Sequence, residues 1–162
     1  MNLDDCYNFN DFRKLAKKKL PSPIFHYIDG GADDEVTLNR NTSSFNDYDL
    51  VPSVLNDVSN IDMSTTVLGE KIDFPLFPAA TAMHRLYHHE GERASAKAVE
   101  KMSTIFGTST MGTVSIEEIA KVNKGPKLFQ LYIHKDRGLT DNLLERCKKS
   151  GFSSMCLTVD TV

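Results

Sequence analysis

The sequence has no Cys-x-x-Cys pair. Its three cysteines, Cys6, Cys147 and Cys156, are odd in number and widely spaced. That pattern argues against a disulfide framework and against a zinc knuckle, and it fits reduced thiols in a cytoplasmic setting. Long apolar runs are also missing: nothing reads as a signal peptide or a bilayer-spanning segment. Attachment to a membrane surface stays open on these grounds. Basic excess is absent too. A net charge of −3 gives no electrostatic reason to expect nucleic acid. The run Lys17-Lys18-Lys19 reads as the solvated face of a helix. There is no low-complexity tract and no internal repeat of high identity.

What is present has the composition of a soluble globular domain, with 40% hydrophobic and 25% charged residues over 162 positions. Helical spacing runs from Asn8 to about Ala32. "NFNDFRKLAKKKL" places Phe9, Phe12, Leu15 and Ala16 on one stripe and is ended by Pro21. "SPIFHYIDGGA" offers Ser22 as a cap, Pro23 at the first helical position and Gly30-Gly31 as a stop. "DDEVTLNRNTSSF" predicts another short helix, and residues 46–73 an irregular or short-stranded segment.

The rhythm then changes. "DFPLFPAAT", "STIFGTST", "KLFQLYI" and "FSSMCLTVD" are strand candidates. The helix candidates "HHEGERASAKAVEKM", "SIEEIAKV" and "GLTDNLLERCKKS" separate them. Ser115 and Glu118 are spaced as a capping box, and Leu139, Leu143, Leu144 and Cys147 define one helical face. Strands recurring about every 25–30 residues with helices between them imply βαβ units and a parallel sheet.

One stretch, "LFQLYIHKDR", poses a question. Strand side chains alternate faces, so Phe129, Leu131 and Ile133 share one side while Gln130, Tyr132 and His134 share the other. That polar side meets either water or a polar ligand. Thr81, Ser109, Gln130, Tyr132, Thr158 and Asp160 all fall at or near the carboxyl ends of their strands, where parallel α/β sheets bind ligands. Several strands ending alike favour a shared site. His84 and His88 sit four apart but read as structural or solvent-facing, and no metal site is expected.

The motifs "FHYIDGGADDEVTLNRN", "ATAM…HHEGE", "GTSTMGTVSIEEIA", "FQLYIHKDR" and "LTVDT" resemble, in order and spacing, the FMN-dependent (S)-2-hydroxy acid dehydrogenases. That family includes glycolate oxidase, flavocytochrome b2 and bacterial L-lactate dehydrogenase, and "LPSPIFHYIDGGADDE" looks closest to the last branch. The resemblance implies an α/β fold, the amino-terminal half of a (β/α)8 TIM barrel preceded by a helical segment. Residues 1–72 would be the helical and irregular segment, and 73–162 the first four barrel strands of a single incomplete domain.

It further implies that FMN is bound by Ala80, Thr81, Ala82, Ser109, Gln130 and Thr158. Ala80 stands where the family usually has proline. Tyr132 resembles the tyrosine that bonds the substrate hydroxyl and Tyr27 the one that binds its carboxylate. Asp160 resembles the carboxylate that steadies the catalytic histidine, so Tyr132 and Asp160 are the expected catalytic residues. The implied reaction is oxidation of an (S)-2-hydroxy acid, foremost L-lactate, to the 2-oxo acid. Electrons would pass to a quinone, a cytochrome or O2. A homo-oligomer is expected for the full-length enzyme, in the cytoplasm or peripherally on the cytoplasmic face of the inner membrane.

A full barrel has eight strands and about 250 residues, so the chain is expected to be truncated before the catalytic base and inactive alone. Two other readings stand beside this one. They are a non-catalytic half-barrel or pseudo-enzyme, and another FMN barrel such as type 2 isopentenyl-diphosphate isomerase.

Overall fold

The computed structural model describes residues 2–160, so Thr161 at the end of "LTVDT" lies outside the described residues. The chain divides between Ser59 and Asn60 into two compact units.

In the first unit, α1 (Phe9–Lys19) is capped by Asn8, whose side chain accepts the Asp11 N–H at 3.1 Å. Of the expected apolar stripe Leu15 is buried, while Phe9 and Phe12 are exposed. The next helix, α2 (Ser22–Asp29), begins differently from the sequence expectation. Pro21 occupies the cap, Ser22 is already helical, and no side chain caps the helix. Pro21 and Pro23, on either side of Ser22, fix φ near the helix start and carry no N–H where none is needed, which makes a serine cap dispensable. Arg13 of α1 pairs with Asp29 of α2, Nη2 lying 2.8 Å from Oδ2. Helix α3 spans Val36–Ser43.

The second unit starts with an antiparallel hairpin, β1 (Thr65–Val67) and β2 (Glu70–Ile72). It turns on Leu68 and Gly69, both at positive φ, the geometry that matches strand twist in two-residue hairpins. A three-stranded parallel sheet follows in the order β3 (Phe106–Ser109), β4 (Lys127–Leu131), β5 (Ser154–Leu157). Helices α4 (Glu92–Lys101), α5 (Ile116–Val122) and α6 (Arg137–Lys149) lie between these strands and before them in sequence.

The expected first barrel strand, residues 73–81, is not a strand here. It meets β3 through one isolated parallel bridge, Thr81 to Thr108. Pro75 and Pro78 carry no N–H for a ladder, and the Leu76 N–H turns back to Phe74 O at 2.8 Å. Residues 73–81 therefore lie along β3 as irregular chain.

Two apolar clusters hold the sheet to its helices. Phe106 packs with Ala96, Val99, Val114 and Ile119, and Phe129 and Leu131 pack with Ile116 and Cys147. Truncating a buried phenylalanine such as Phe129 to alanine costs about 3–5 kcal/mol. Leu143 and Leu144 join the second cluster as the helical spacing predicts, whereas Leu139 stays exposed. Helix α5 begins with the expected capping box: Ser115 Oγ accepts the Glu118 N–H and Glu118 Oε2 accepts the Ser115 N–H. Arg93 pairs with Glu118, and Arg146 of α6 forms a two-pronged pair with Glu117 of α5 at 2.7 and 2.9 Å.

Candidate functional site

Phe129 and Leu131 point to the helices, so Gln130 between them faces the opposite side of the sheet. There it is met by the neighbouring strands. Ser109 Oγ, at the end of β3, donates to Gln130 Oε1 at 2.9 Å. Gln130 Nε2 donates to Thr158 Oγ1, just past β5, at 2.6 Å. A polar ladder thus crosses the carboxyl ends of the three strands. Ser109 and Gln130 are buried and Thr158 half-buried.

The same edge is braced by Thr110, which sequence reasoning did not select. Its N–H donates to Gln130 O and its hydroxyl donates there as well, at 2.6 Å, while the Tyr132 N–H donates to Thr110 Oγ1 at 3.1 Å. Tyr132 is half-buried beyond the end of β4. Ile133 is exposed rather than continuing the apolar face, because the strand has ended.

The segment Ala80-Thr81-Ala82 runs beside β3. A Cβ added to Gly107 would come within 2.9 Å of Ala80 N and 3.2 Å of its Cα, so backbone packs on backbone. Thr81 Oγ1 is hydrogen-bonded to His84 Nε2, and Ser95 Oγ lies 3.2 Å from His84 Nδ1. Asp160 is exposed at the same end of the sheet. Tyr27 lies on α2 in the first unit and is 61% exposed. Among the described residues no three His, Cys, Asp or Glu side chains converge to hold a metal.

Buried charge near the site is concentrated in Glu92, at the start of α4. Burial pushes its carboxyl up. Hydrogen bonds from the Thr113 hydroxyl and N–H, and from the main chain of Glu92 and His84, more than offset that, leaving it below the usual range. The sequence offers little to mark it, since a glutamate in "HHEGE" reads as surface.

An FMN ring presents two carbonyl oxygens flanking an N–H along its polar edge. A carboxamide has two N–H donors and a hydroxyl one. Gln130 spends one amide hydrogen on Thr158 and Thr158 spends an acceptor site on Gln130, so each retains a donor for a carbonyl oxygen. The residues present fit the group.

A polar ladder at the carboxyl ends of a parallel sheet lies where α/β domains bind their ligands. The chain belongs to the family of FMN-dependent dehydrogenases, whose model matches residues 16–162, and FMN is that family's cofactor. It is 43% identical over 154 residues to glycolate oxidase of Spinacia oleracea, covering 95% of this chain and 42% of that protein. The flavin-binding domain of baker's yeast flavocytochrome b2 superposes with a TM-score of 0.89 at 33% identity, covering 99% of this chain and 42% of that one. An active mutant of (S)-mandelate dehydrogenase gives 0.87 at 34%, with 99% and 44% covered. The chain spans less than half the length of the relatives it matches.

Proposed function

We propose that the full-length protein oxidises an (S)-2-hydroxy acid, foremost L-lactate, to the 2-oxo acid with FMN. The observation that carries this reading is the Ser109–Gln130–Thr158 ladder, turned away from the helices and holding donors for a flavin edge. Relatives named for glycolate and (S)-mandelate support the substrate class. In this reading residues 1–72 form an amino-terminal segment, and 73–162 supply the first part of a (β/α)8 barrel whose mouth is the ladder's end of the sheet.

Each residue then has a task. Gln130 and Thr158 donate to the flavin's carbonyl edge, and Ser109 fixes the Gln130 amide by donating to its oxygen. Ala80-Thr81-Ala82 lines the ring's reactive side with main chain. Tyr132 bonds the substrate hydroxyl, and Tyr27 binds its carboxylate. Asp160 steadies the protonated base, because an imidazolium formed during turnover is stabilised by a fixed negative charge. FMN, when bound, would supply the two-electron acceptor for the substrate, with a quinone, a cytochrome or O2 as the proposed final acceptor. The proposal extends to a cytoplasmic homo-oligomer, with peripheral attachment to the inner membrane's cytoplasmic face as its variant.

The test is anaerobic mixing of the FMN-loaded full-length protein with L-lactate, D-lactate, glycolate and (S)-mandelate. Bleaching of the flavin absorbance by L-lactate and not by D-lactate is expected. No bleaching by any of them refutes the proposal. Reoxidation by O2, a quinone or cytochrome c identifies the acceptor, and fractionation with sizing gives location and assembly.

A further inference from the structure

Glu92 opens α4 yet has no exposed surface (0%). Its Oε1 accepts the main-chain N–H of His84 at 3.2 Å and that of Thr113 at 2.8 Å. Its Oε2 accepts the Thr113 hydroxyl at 2.6 Å. These donors are neutral. A buried carboxylate is costly unless its oxygens are satisfied, and here the start of a helix adds a favourable dipole.

The two loops it joins come from different places. His84 follows the Ala80–Ala82 turn, and Thr113 follows β3. They are clasped further by the Met83 N–H donating to Met111 O at 3.1 Å and the Arg85 N–H to Thr113 Oγ1 at 3.2 Å. The His84 ring, steadied by Ser95 of α4, stands directly behind Thr81. Gly91, at φ +56°, lets the chain pass where a side chain would lie 2.7 Å from Arg85 Cγ. Glu92 is therefore more than a helix-start acid: its oxygens tie the chain just after Thr81 to the chain just after Ser109.

We propose that Glu92 is a positioning residue, a buried carboxylate that sets the spacing between the Ala80–Ala82 turn and the loop after β3 and so fixes the main chain lining the flavin's reactive side. The proposal rests on the functional reading above.

Two measurements test it. In the FMN-loaded full-length enzyme, Glu92→Ala is expected to slow flavin reduction by substrate about 10- to 100-fold, the scale of a small misplacement. KM and FMN affinity should stay within about threefold. Glu92→Gln, whose amide oxygen still accepts both N–H groups, should recover most of the rate. In the flavin-free protein, the His84 and Thr113 amides should be protected from hydrogen exchange, lose protection in Glu92→Ala and regain it in Glu92→Gln. Phe129 and Leu131 should not change. If the alanine variant fails to fold, Thr113→Val removes one donor without emptying the site and should reproduce part of the slowing. Reduction unchanged in both variants, or a glutamine variant as slow as alanine, overturns the proposal. Should the wild type be reduced by no hydroxy acid, the functional reading falls, and exchange at His84 and Thr113 alone decides whether Glu92 locks the loops.

Discussion

The Gln130 amide is held from both sides, its oxygen accepting from Ser109 Oγ at 2.9 Å and its nitrogen donating to Thr158 Oγ1 at 2.6 Å. A strand-to-strand ladder of side chains at this position orients the amide before any ligand arrives, and orientation in advance is what raises affinity. Gln130→Leu should therefore weaken FMN retention. It should also destabilise the fold by about 1–3 kcal/mol, because the Ser109 hydroxyl loses its acceptor in a buried place. Fluorescence titration with FMN and denaturant midpoints check the two effects. Full retention of flavin would remove Gln130 from the site.

Tyr27→Phe and Tyr132→Phe are expected to act on substrate and to spare flavin. A hydroxyl bonded to a charged group contributes about 1.5–3 kcal/mol, so Tyr27→Phe should raise KM strongly. Loss of flavin with KM unchanged in the Tyr27 variant would contradict its assignment.

Asp160 is exposed beyond β5, and a carboxylate in such a place contributes little to folding. Asp160→Asn in the full-length enzyme should keep FMN bound and the melting temperature unchanged while slowing reduction by L-lactate. Stopped-flow reduction kinetics equal to wild type would exclude the role.

Acid should weaken the packing of α5 on α6. The hydrogen-bonded Arg146 guanidinium holds the Glu117 carboxyl at about 2, below its ordinary 4.5. The folded state then binds this proton less readily than the unfolded chain. The stabilisation is complete above pH 4.5 and is lost as pH falls through about 2. Urea midpoints of wild type and Glu117→Gln should differ at neutral pH and converge in that window. A difference that persists at the acid end would assign the stabilisation to something other than this charge.

A polypeptide limited to residues 1–162 is expected to self-associate and to show no turnover. Among the described residues β5 pairs with β4 alone, and Met155, Leu157 and Val159 on and beyond it are exposed. Open strand edges and bare apolar side chains invite association. Light scattering and anaerobic mixing with FMN and L-lactate check this. A monomer whose flavin bleaches would refute it.

Local rules were enough for much of the fold. The capping box of α5 lies within four consecutive residues, and alternation alone separated Phe129 and Leu131 from Gln130. The segment 73–81 escaped because its hydrophobicity reads as a strand while Pro75 and Pro78 deny it the ladder. Ser22 was read as a cap by residue type, where the prolines on either side set the helix start. Within the site, Ser109, Gln130 and Thr158 were legible as polar strand-end residues. Thr110, Thr113 and Glu92 were not, since their importance comes from loops meeting across 20 to 30 positions of chain. A glycine-glutamate pair opening α4 without a side-chain cap is the faint mark that Glu92 left.

Gly107 carries a constraint of another kind. Because its missing side chain is the space that Ala80 main chain fills, the constraint falls on position 107 and not on the side chain at 80. Any larger residue at 107 moves the turn at 80, whatever residue stands there, and repair by a second substitution at 80 is closed because the obstacle is backbone. In a deep mutational scan selected for flavin-dependent growth, position 107 should accept glycine alone while position 80 accepts several small residues. Such an asymmetric pair is heritable information about a distance, written in a residue that has no side chain.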